Sequence, residues 1–322
     1  MVSTGSSSVN SVSPSSRVAF LFPGQGSQAV GMGLALYQNS RAAKAVFDQV
    51  DEALGLSLSR IIFEGPEDEL RKTINAQPSI LTVSLACLKA MEEALGQDRM
   101  PKASLMAGHS LGEYTALVVA DVLSITDAVR LVRERGRLMQ YAADLREGGM
   151  AAVMGMEDAD LEEVCRETNT EISNMNTPDQ TVISGETVAV GKAMELANAR
   201  GARRTVALAV AGAFHSRLME PAQEGLAKVV ASLSFSDPSV PIVANCTGLP
   251  LTTAEEIKQE LTSGLCTCVR WKDSVGYMIQ AGITTFYEIG PGKVLSGMVK
   301  RINTDAEITS ISDQESIQLL TA

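Results

Sequence analysis

Histidine occurs only twice in this chain of 322 residues, so any chemistry that needs an imidazole must draw on His109 or His215. Long apolar runs are missing as well. The longest, such as the one around Leu117 to Val119, fall far short of the roughly 20 residues that span a bilayer, which excludes a membrane-spanning helix, and no membrane partner is expected. There is no basic excess either. A net charge of -11 excludes nonspecific nucleic-acid binding, which depends on clustered Lys and Arg, and any anionic ligand must meet a local basic site. The five cysteines (Cys87, Cys165, Cys246, Cys266, Cys268) lack metal-ligand spacing. Cys266 and Cys268 have one residue between them where zinc motifs use two to four, so free thiols in a reducing compartment and no metal are expected. Asn245-Cys246-Thr247 forms a glycosylation acceptor only if the protein is secreted, and nothing else points to secretion. Acidic residues are absent before Asp48, and eight serines occupy the fourteen positions from 3 to 16. This segment reads either as the mature-side remnant of an organelle transit peptide or as a disordered tail.

What is present is a chain with 45% hydrophobic residues, long enough for a substantial core and most simply one domain with an insertion, or two domains. "RVAFLF" (17 to 22) reads as a strand ending at Pro23 and the turn "PGQGSQ". Helical spacing follows in "AAKAVFDQVDEAL" and "ILTVSLACLKAMEEAL", then "SLMAG" as a buried strand and "LGEYTALVVA" as a helix. From about Met150 the order becomes strand, helix, two strands, helix and strand, closing on "RRTVALAV". This is the split βαβ signature of a ferredoxin-like unit. After His215 larger α/β patterning resumes, with "VPIVAN" and "TTFYEIG" as strands and a helix around "WKDSVGYMIQAG". The expected fold class is α/β: an α/β-hydrolase-like catalytic subdomain over 17–148 and 213–310, a ferredoxin-like insertion over 149–212, and tails over 1–16 and 311–322.

The segment "AGHSLGEYTAL" (107 to 117) places Ser110 between two glycines at a strand-to-helix turn, the context of a G-x-S-x-G nucleophile. A serine hydroxyl needs an adjacent base. His109 is its sequence neighbour, and adjacent side chains diverge in a tight turn, which leaves His215 in "GAFHS" as the base by elimination. The Leu111 N–H, at the start of the next helix, can face a developing oxyanion, and the Gly24-Gln25-Gly26 loop is the obvious source of a second donor. That loop also fits the dinucleotide pattern through Gly24, Gly26 and Ala29, a weak signal because Asp48 lies in a helical pattern rather than after a second strand. In "DAVRLVRERGRLMQYA", Ala128, Leu131, Val132, Leu138, Met139 and Ala142 fall within about 60° of Arg135, whereas Arg130, Arg133 and Arg137 fall on the opposite, solvated face. A buried guanidinium needs an anionic partner. It is either half of an internal salt bridge or a socket for a substrate carboxylate.

The motifs "FPGQGSQ" (22 to 28), "QPSI" (77 to 80), "GHSLGEYTAL" (108 to 117), "RLVRERGRLMQ" (130 to 140), "NTPDQTVISG" (176 to 185), "GAFHS" (212 to 216) and "YEIGPGKVL" (287 to 295) appear in order over about 17 to 302. Together they resemble the malonyl-CoA:acyl carrier protein transacylases of fatty-acid synthesis and the related acyltransferase domains of polyketide synthases. The resemblance implies Ser110 as acyl-accepting nucleophile, His215 as general base and acid, and the backbone N–H groups of Gln25 and Leu111 as the oxyanion hole. It implies Arg135 as the malonyl carboxylate's partner, with Met139, Phe214, Gln77 and Asn176 completing the substrate-binding set, and a main-chain carbonyl near "VRW", at Arg270, as third partner of the histidine. No cofactor and no metal are implied, with malonyl-CoA as substrate. The acceptor is a separate holo acyl carrier protein, because the chain has no Asp-Ser-Leu attachment tripeptide. An acidic carrier would dock on a local basic patch, with Arg203 and Arg204, or Lys300 and Arg301, as candidates. A monomer is expected. The "LAVAGAFHS" stretch resembles plastid-type versions, which with the serine-rich segment suggests an organelle stroma, with a bacterial cytoplasm as the alternative.

Overall fold

The computed structural model describes residues 17–210 and 212–321. The serine-rich segment, and with it the transit-peptide and disordered-tail readings, lies outside the described residues. Ten strands follow in chain order: β1 (Arg17–Phe22), β2 (Ala103–Gly108), β3 (Gly148–Met154), β4 (Glu171–Thr177), β5 (Gln180–Glu186), β6 (Arg204–Ala207), β7 (Ile242–Val243), β8 (Pro250–Leu251), β9 (Ile283–Ile289) and β10 (Glu307–Ile311). They form two sheets, of order β10-β9-β1-β2-β7-β8 and β4-β5-β3-β6.

The larger sheet is parallel from β10 to β7. Its central β1 is buried from Val18 to Phe22, which explains a continuous apolar run where a one-sided strand would alternate. The helix Thr73–Leu95 is buried almost all round. It begins seven residues before the helical spacing read from Ile80, passing through Pro78 in its second turn, and the extra turns bring Gln77 to the site. The smaller sheet is antiparallel, with the helices Asp158–Thr168 and Thr187–Ala199 joining its strands in the ferredoxin-like βαββαβ order. Its edge strand β4 is held against the larger unit by main-chain bonds from Met175 N to Val269 O and from Val269 N to Ser173 O, both 2.8 Å.

The stretches "RRTVALAV" and "VPIVAN" give only the short β6 and β7, each extended by a single backbone bond, from Leu208 N to Met150 O and from Met106 N to Pro241 O. The expectation of a tail over 311–322 is corrected. β10 pairs with β9 as far as Ile311, and the helix Gln314–Thr321 buries Ile317 in the main core. Among the described residues no helix is long and apolar enough to cross a membrane.

Candidate active site

Ser110 sits in a turn that few sequences can make. Its φ is 50°, in the left-handed region that L-residues avoid. The turn is so tight that a Cβ at Gly108 would lie 1.8 Å from the carbonyl carbon of Gly112, and one at Gly112 would lie 2.0 Å from Phe22 O. Both glycines are therefore demanded by close approach. The turn lifts the hydroxyl off the end of β2 and starts the helix Gly112–Val119 directly behind it.

His215 Nε2 lies 2.8 Å from Ser110 Oγ. Its Nδ1 lies 2.8 Å from Gly264 O and 3.2 Å from Thr267 O. Carbonyls only accept, so Nδ1 carries the proton and Nε2 presents its lone pair to the serine hydroxyl. The carbonyl at Arg270 has another role. Arg270 O accepts from Ser274 N at 2.9 Å, so the expectation that it orients the histidine is corrected to Gly264 and Thr267, at the start of the loop that follows the helix Ala254–Ser263. Burial, and after it the nearby Arg135 charge, push the His215 pKa down to about 3, which leaves the ring neutral and able to take a proton at pH 7. His215 also has a left-handed φ of 58°. Both residues of the serine–histidine pair thus have left-handed backbone, which among the non-glycine residues described is shared only by Asp121 and Asn169.

His109 turns away, as the elimination argument requires. Its Nε2 donates to Asn176 Oδ1 at 2.9 Å, while Asn176 Nδ2 donates to Gln180 Oε1 at 3.1 Å. Burial lowers its pKa too, so it is a neutral strut between the serine turn and the small sheet.

Arg135 is buried, as its helical phase predicts. Its Nη1 donates to Gln77 Oε1 at 2.8 Å and its Nη2 to Ser110 Oγ at 3.1 Å, and the guanidinium lies 5.2 Å from the Tyr114 ring centroid. Among the described residues Arg135 forms no ion pair, and its Nε, fully enclosed, has no partner. Gln77 is fixed in turn by a 3.1 Å contact from Nε2 to Met139 Sδ. On the other face of the helix Arg130 and Arg137 are exposed, but Arg133 is half-buried, with Nη1 enclosed and unpartnered, so that face is less open than the charge pattern suggests.

Ser110 and His215 line a cleft of 840 Å³ between the two sheets, and Arg135 lies behind them in a small space shared with Glu113, Tyr114 and Asn245. Gln25, Ser110, Met139 and Phe214 face the cleft from the larger unit, and Asn174, Asn176 and Val182 from the smaller one. Neither the Gln25 nor the Leu111 N–H donates to a protein acceptor among the described residues. Of the proposed docking cations, Arg203 is paired with Asp179, and Lys300 donates to Thr304 O at 3.1 Å.

Sequence reasoning missed Asn245, Glu113 and Tyr114, and the two carbonyls that orient His215. Asn245 was legible only as a glycosylation acceptor. It is buried, both its amide atoms are hydrogen-bonded within the turn, and no glycan could reach it. Its position just beyond the carboxyl end of a sheet strand, where α/β folds collect their functional groups, was the available signal.

The family model described as acyl transferase domain matches residues 19–319. The malonyl CoA-acyl carrier protein transacylase of Bacillus subtilis is 46% identical over 310 residues, covering 94% of this chain and 96% of that protein. Among solved structures, the acyl-carrier-protein-S-malonyltransferase from Bartonella henselae superposes with a TM-score of 0.90 at 42% identity, covering 95% of this chain and 100% of that one. A malonyl-transacylase in complex with its type II PKS acyl-carrier protein superposes with a TM-score of 0.91 at 37% identity, covering 95% and 99%. A match over nearly the whole chain, joined to a serine–histidine pair at the strand-to-helix turn, makes this chain a member of the acyl transferase domain family.

Proposed function

We propose that this chain transfers the malonyl group of malonyl-CoA to the phosphopantetheine thiol of a separate acyl carrier protein, supplying extender units for fatty-acid synthesis. The observation that carries the reading is Arg135: a buried cation without a carboxylate partner among the described residues, hydrogen-bonded to the nucleophile, whose own side chain lines the cleft. A hydrolase of neutral acyl groups has no use for such a charge, whereas a malonyl carboxylate would give the guanidinium the anion it lacks.

The steps balance without a cofactor. Ser110 Oγ attacks the thioester carbonyl carbon while its proton passes to His215 Nε2, and the carbonyl oxygen becomes an oxyanion facing the Leu111 and Gln25 N–H groups. As the tetrahedral centre collapses, the C–S bond breaks and the CoA sulfur takes the proton from His215. The carrier's thiol then gives its proton to the same nitrogen and attacks the malonyl-serine ester, and Ser110 Oγ leaves with that proton. Gln77 holds Arg135, Met139 holds Gln77, and Asn176 closes the wall opposite through His109. Phe214, beside the base, crowds an α-methyl branch and disfavours methylmalonyl-CoA. On this reading the catalytic groups belong to a unit over 17–148 and 213–310, and the insertion over 149–212 shapes the entrance.

Intact-protein mass spectrometry after brief exposure to malonyl-CoA tests the proposal. A malonyl adduct should map to Ser110, and holo carrier protein should discharge it. An adduct on a cysteine, or discharge by water as fast as by carrier, overturns it.

A further inference from the structure

The nucleophile turn is braced by residues to which the transfer chemistry gives no part. Register pairing between β2 and β7 stops at Ala107 and Val243, so no ladder supports Gly108, His109 or Ser110 on that side. In its place stands one side-chain amide. Asn245 Oδ1 accepts from Ser110 N at 2.7 Å, and Asn245 Nδ2 donates to Gly108 O at 2.7 Å. These atoms belong to the peptide units on either side of His109, so a single amide plane substitutes for a strand where the backbone turns away. Asn245 is itself held by a buried carboxyl: Glu113 Oε1 accepts from Asn245 N at 3.1 Å and from Asn245 Nδ2 at 3.0 Å. Glu113 stands in the first turn of the helix that follows Ser110, which closes a ring from the turn to Asn245, to Glu113 and back to the turn.

We propose that Glu113 and Asn245 are positioning residues that lock the left-handed backbone of Ser110, with Glu113 acting through the acceptor geometry of Oε1 rather than through a negative charge. Two observations support the neutral form. Glu113 is buried and forms no ion pair among the described residues, and a second buried acid, Glu260, holds the neighbouring Cys246 N at 2.8 Å. Burial first, and then the Glu260 charge, raise the Glu113 pKa well above the usual carboxylate range, outweighing the Asn245 hydrogen bonds and the Arg135 charge, which act to lower it. A carboxyl that keeps its proton still offers its carbonyl oxygen to two N–H donors, and a glutamine offers the same.

This inference rests on Ser110 being the nucleophile, so its test reads nucleophile reactivity directly. The rate at which a fluorophosphonate probe labels Ser110 would be measured in the full chain at matched folded fraction, beside kcat and KM for malonyl-CoA. Glu113→Ala should slow labelling and kcat by about 10- to 100-fold, the cost of a slightly misplaced reacting group, with KM changed less than about twofold. Asn245→Ala should do the same, and it stands in if Glu113→Ala does not fold. Glu113→Gln should retain most of the wild-type labelling rate. Unchanged labelling in Glu113→Ala or Asn245→Ala, or a Glu113→Gln variant as slow as Glu113→Ala, overturns the proposal. Absence of labelling in the wild type would instead remove Ser110 as nucleophile, and with it the reading on which this one rests.

Discussion

The two sheets meet at one cleft and contribute unlike things to it. Every side chain that touches the Ser110 hydroxyl, His215 and Arg135, comes from the larger unit, where left-handed backbone aims Ser110 and His215 and the helix Ile125–Leu145 presents Arg135. The smaller sheet supplies a wall of neutral amides and apolar side chains, and among the described residues its hydrogen bond to the serine turn runs from His109 to Asn176. The difference teaches where sensitivity should lie. Displacing a group of the larger unit changes the chemistry, and displacing one of the smaller unit changes access and packing.

The two histidines give the sharpest version of this contrast, since both are buried and both have lowered pKa values. His215→Ala should slow acylation by about 10²- to 10⁴-fold, the usual worth of a general base. His109→Ala should cost far less, because it removes a strut to the small sheet and not the proton acceptor. Single-turnover acylation of folded variants decides the matter, and equal losses would erase the distinction.

Arg135 belongs to the same unit but acts on selectivity. Charge-assisted hydrogen bonds are worth about 1.5 to 3 kcal/mol, so Arg135→Ala should lower the ratio of kcat/KM for malonyl-CoA over acetyl-CoA by about 10- to 150-fold. An unchanged ratio would make Arg135 a prop for Ser110 and Gln77 alone.

The lowered His215 pKa has its own signature. A base with an ordinary pKa near 6.5 would lose about 30-fold in activity by pH 5, whereas a pKa of about 3 keeps kcat/KM for acylation nearly flat from pH 8 to pH 5. The linkage to stability has a definite sign. The folded pKa lies below the unfolded one, so the folded protein binds fewer protons. The contribution is complete above about pH 6.5 and is lost as the pH falls from there toward 3. His215→Gln should therefore flatten the acid limb of a denaturant-stability profile, and an unchanged limb would show that His215 does not titrate as its surroundings require.

The chemistry of the larger unit was more legible in the sequence than its supports. Ser110 is announced by two glycines that cannot be replaced, and Arg135 by a helical phase that puts a cation in an apolar stripe; both signals are local. His215 followed by elimination because the chain has one alternative. Gly264, Thr267, Asn245 and Glu113 had no such signal, since a carbonyl acceptor has no side-chain identity and a buried amide or acid acts through partners more than 100 positions away, as Asn245 does with Ser110. The small sheet was read from its strand and helix order, which is periodic and local. Its attachment through Val269 was hidden, because one isolated bridge leaves no pattern.

That attachment also carries the smallest expected effect. Besides the main-chain bridge, Lys272 in the first turn of the helix Trp271–Gln280 pairs with Asp158 at the start of the small unit's first helix, and Asp158 Oδ1 accepts from Thr181 Oγ1 on β5 at 3.0 Å. Both charges are partly exposed, so Lys272→Ala should cost about 1 kcal/mol or less. The loss should lower the melting temperature by a few degrees at most and raise KM for the acyl donor slightly as the cleft wall loosens, while kcat stays within about twofold, because nothing touching Ser110 has moved. Thr181→Val, which removes the hydroxyl partner of Asp158 without touching the ion pair, should show a weaker form of the same behaviour. A Lys272→Ala variant with unchanged KM but a large fall in kcat would mean that the small unit reaches the reacting atoms after all, and the division between a chemical unit and a walling unit would have to be abandoned.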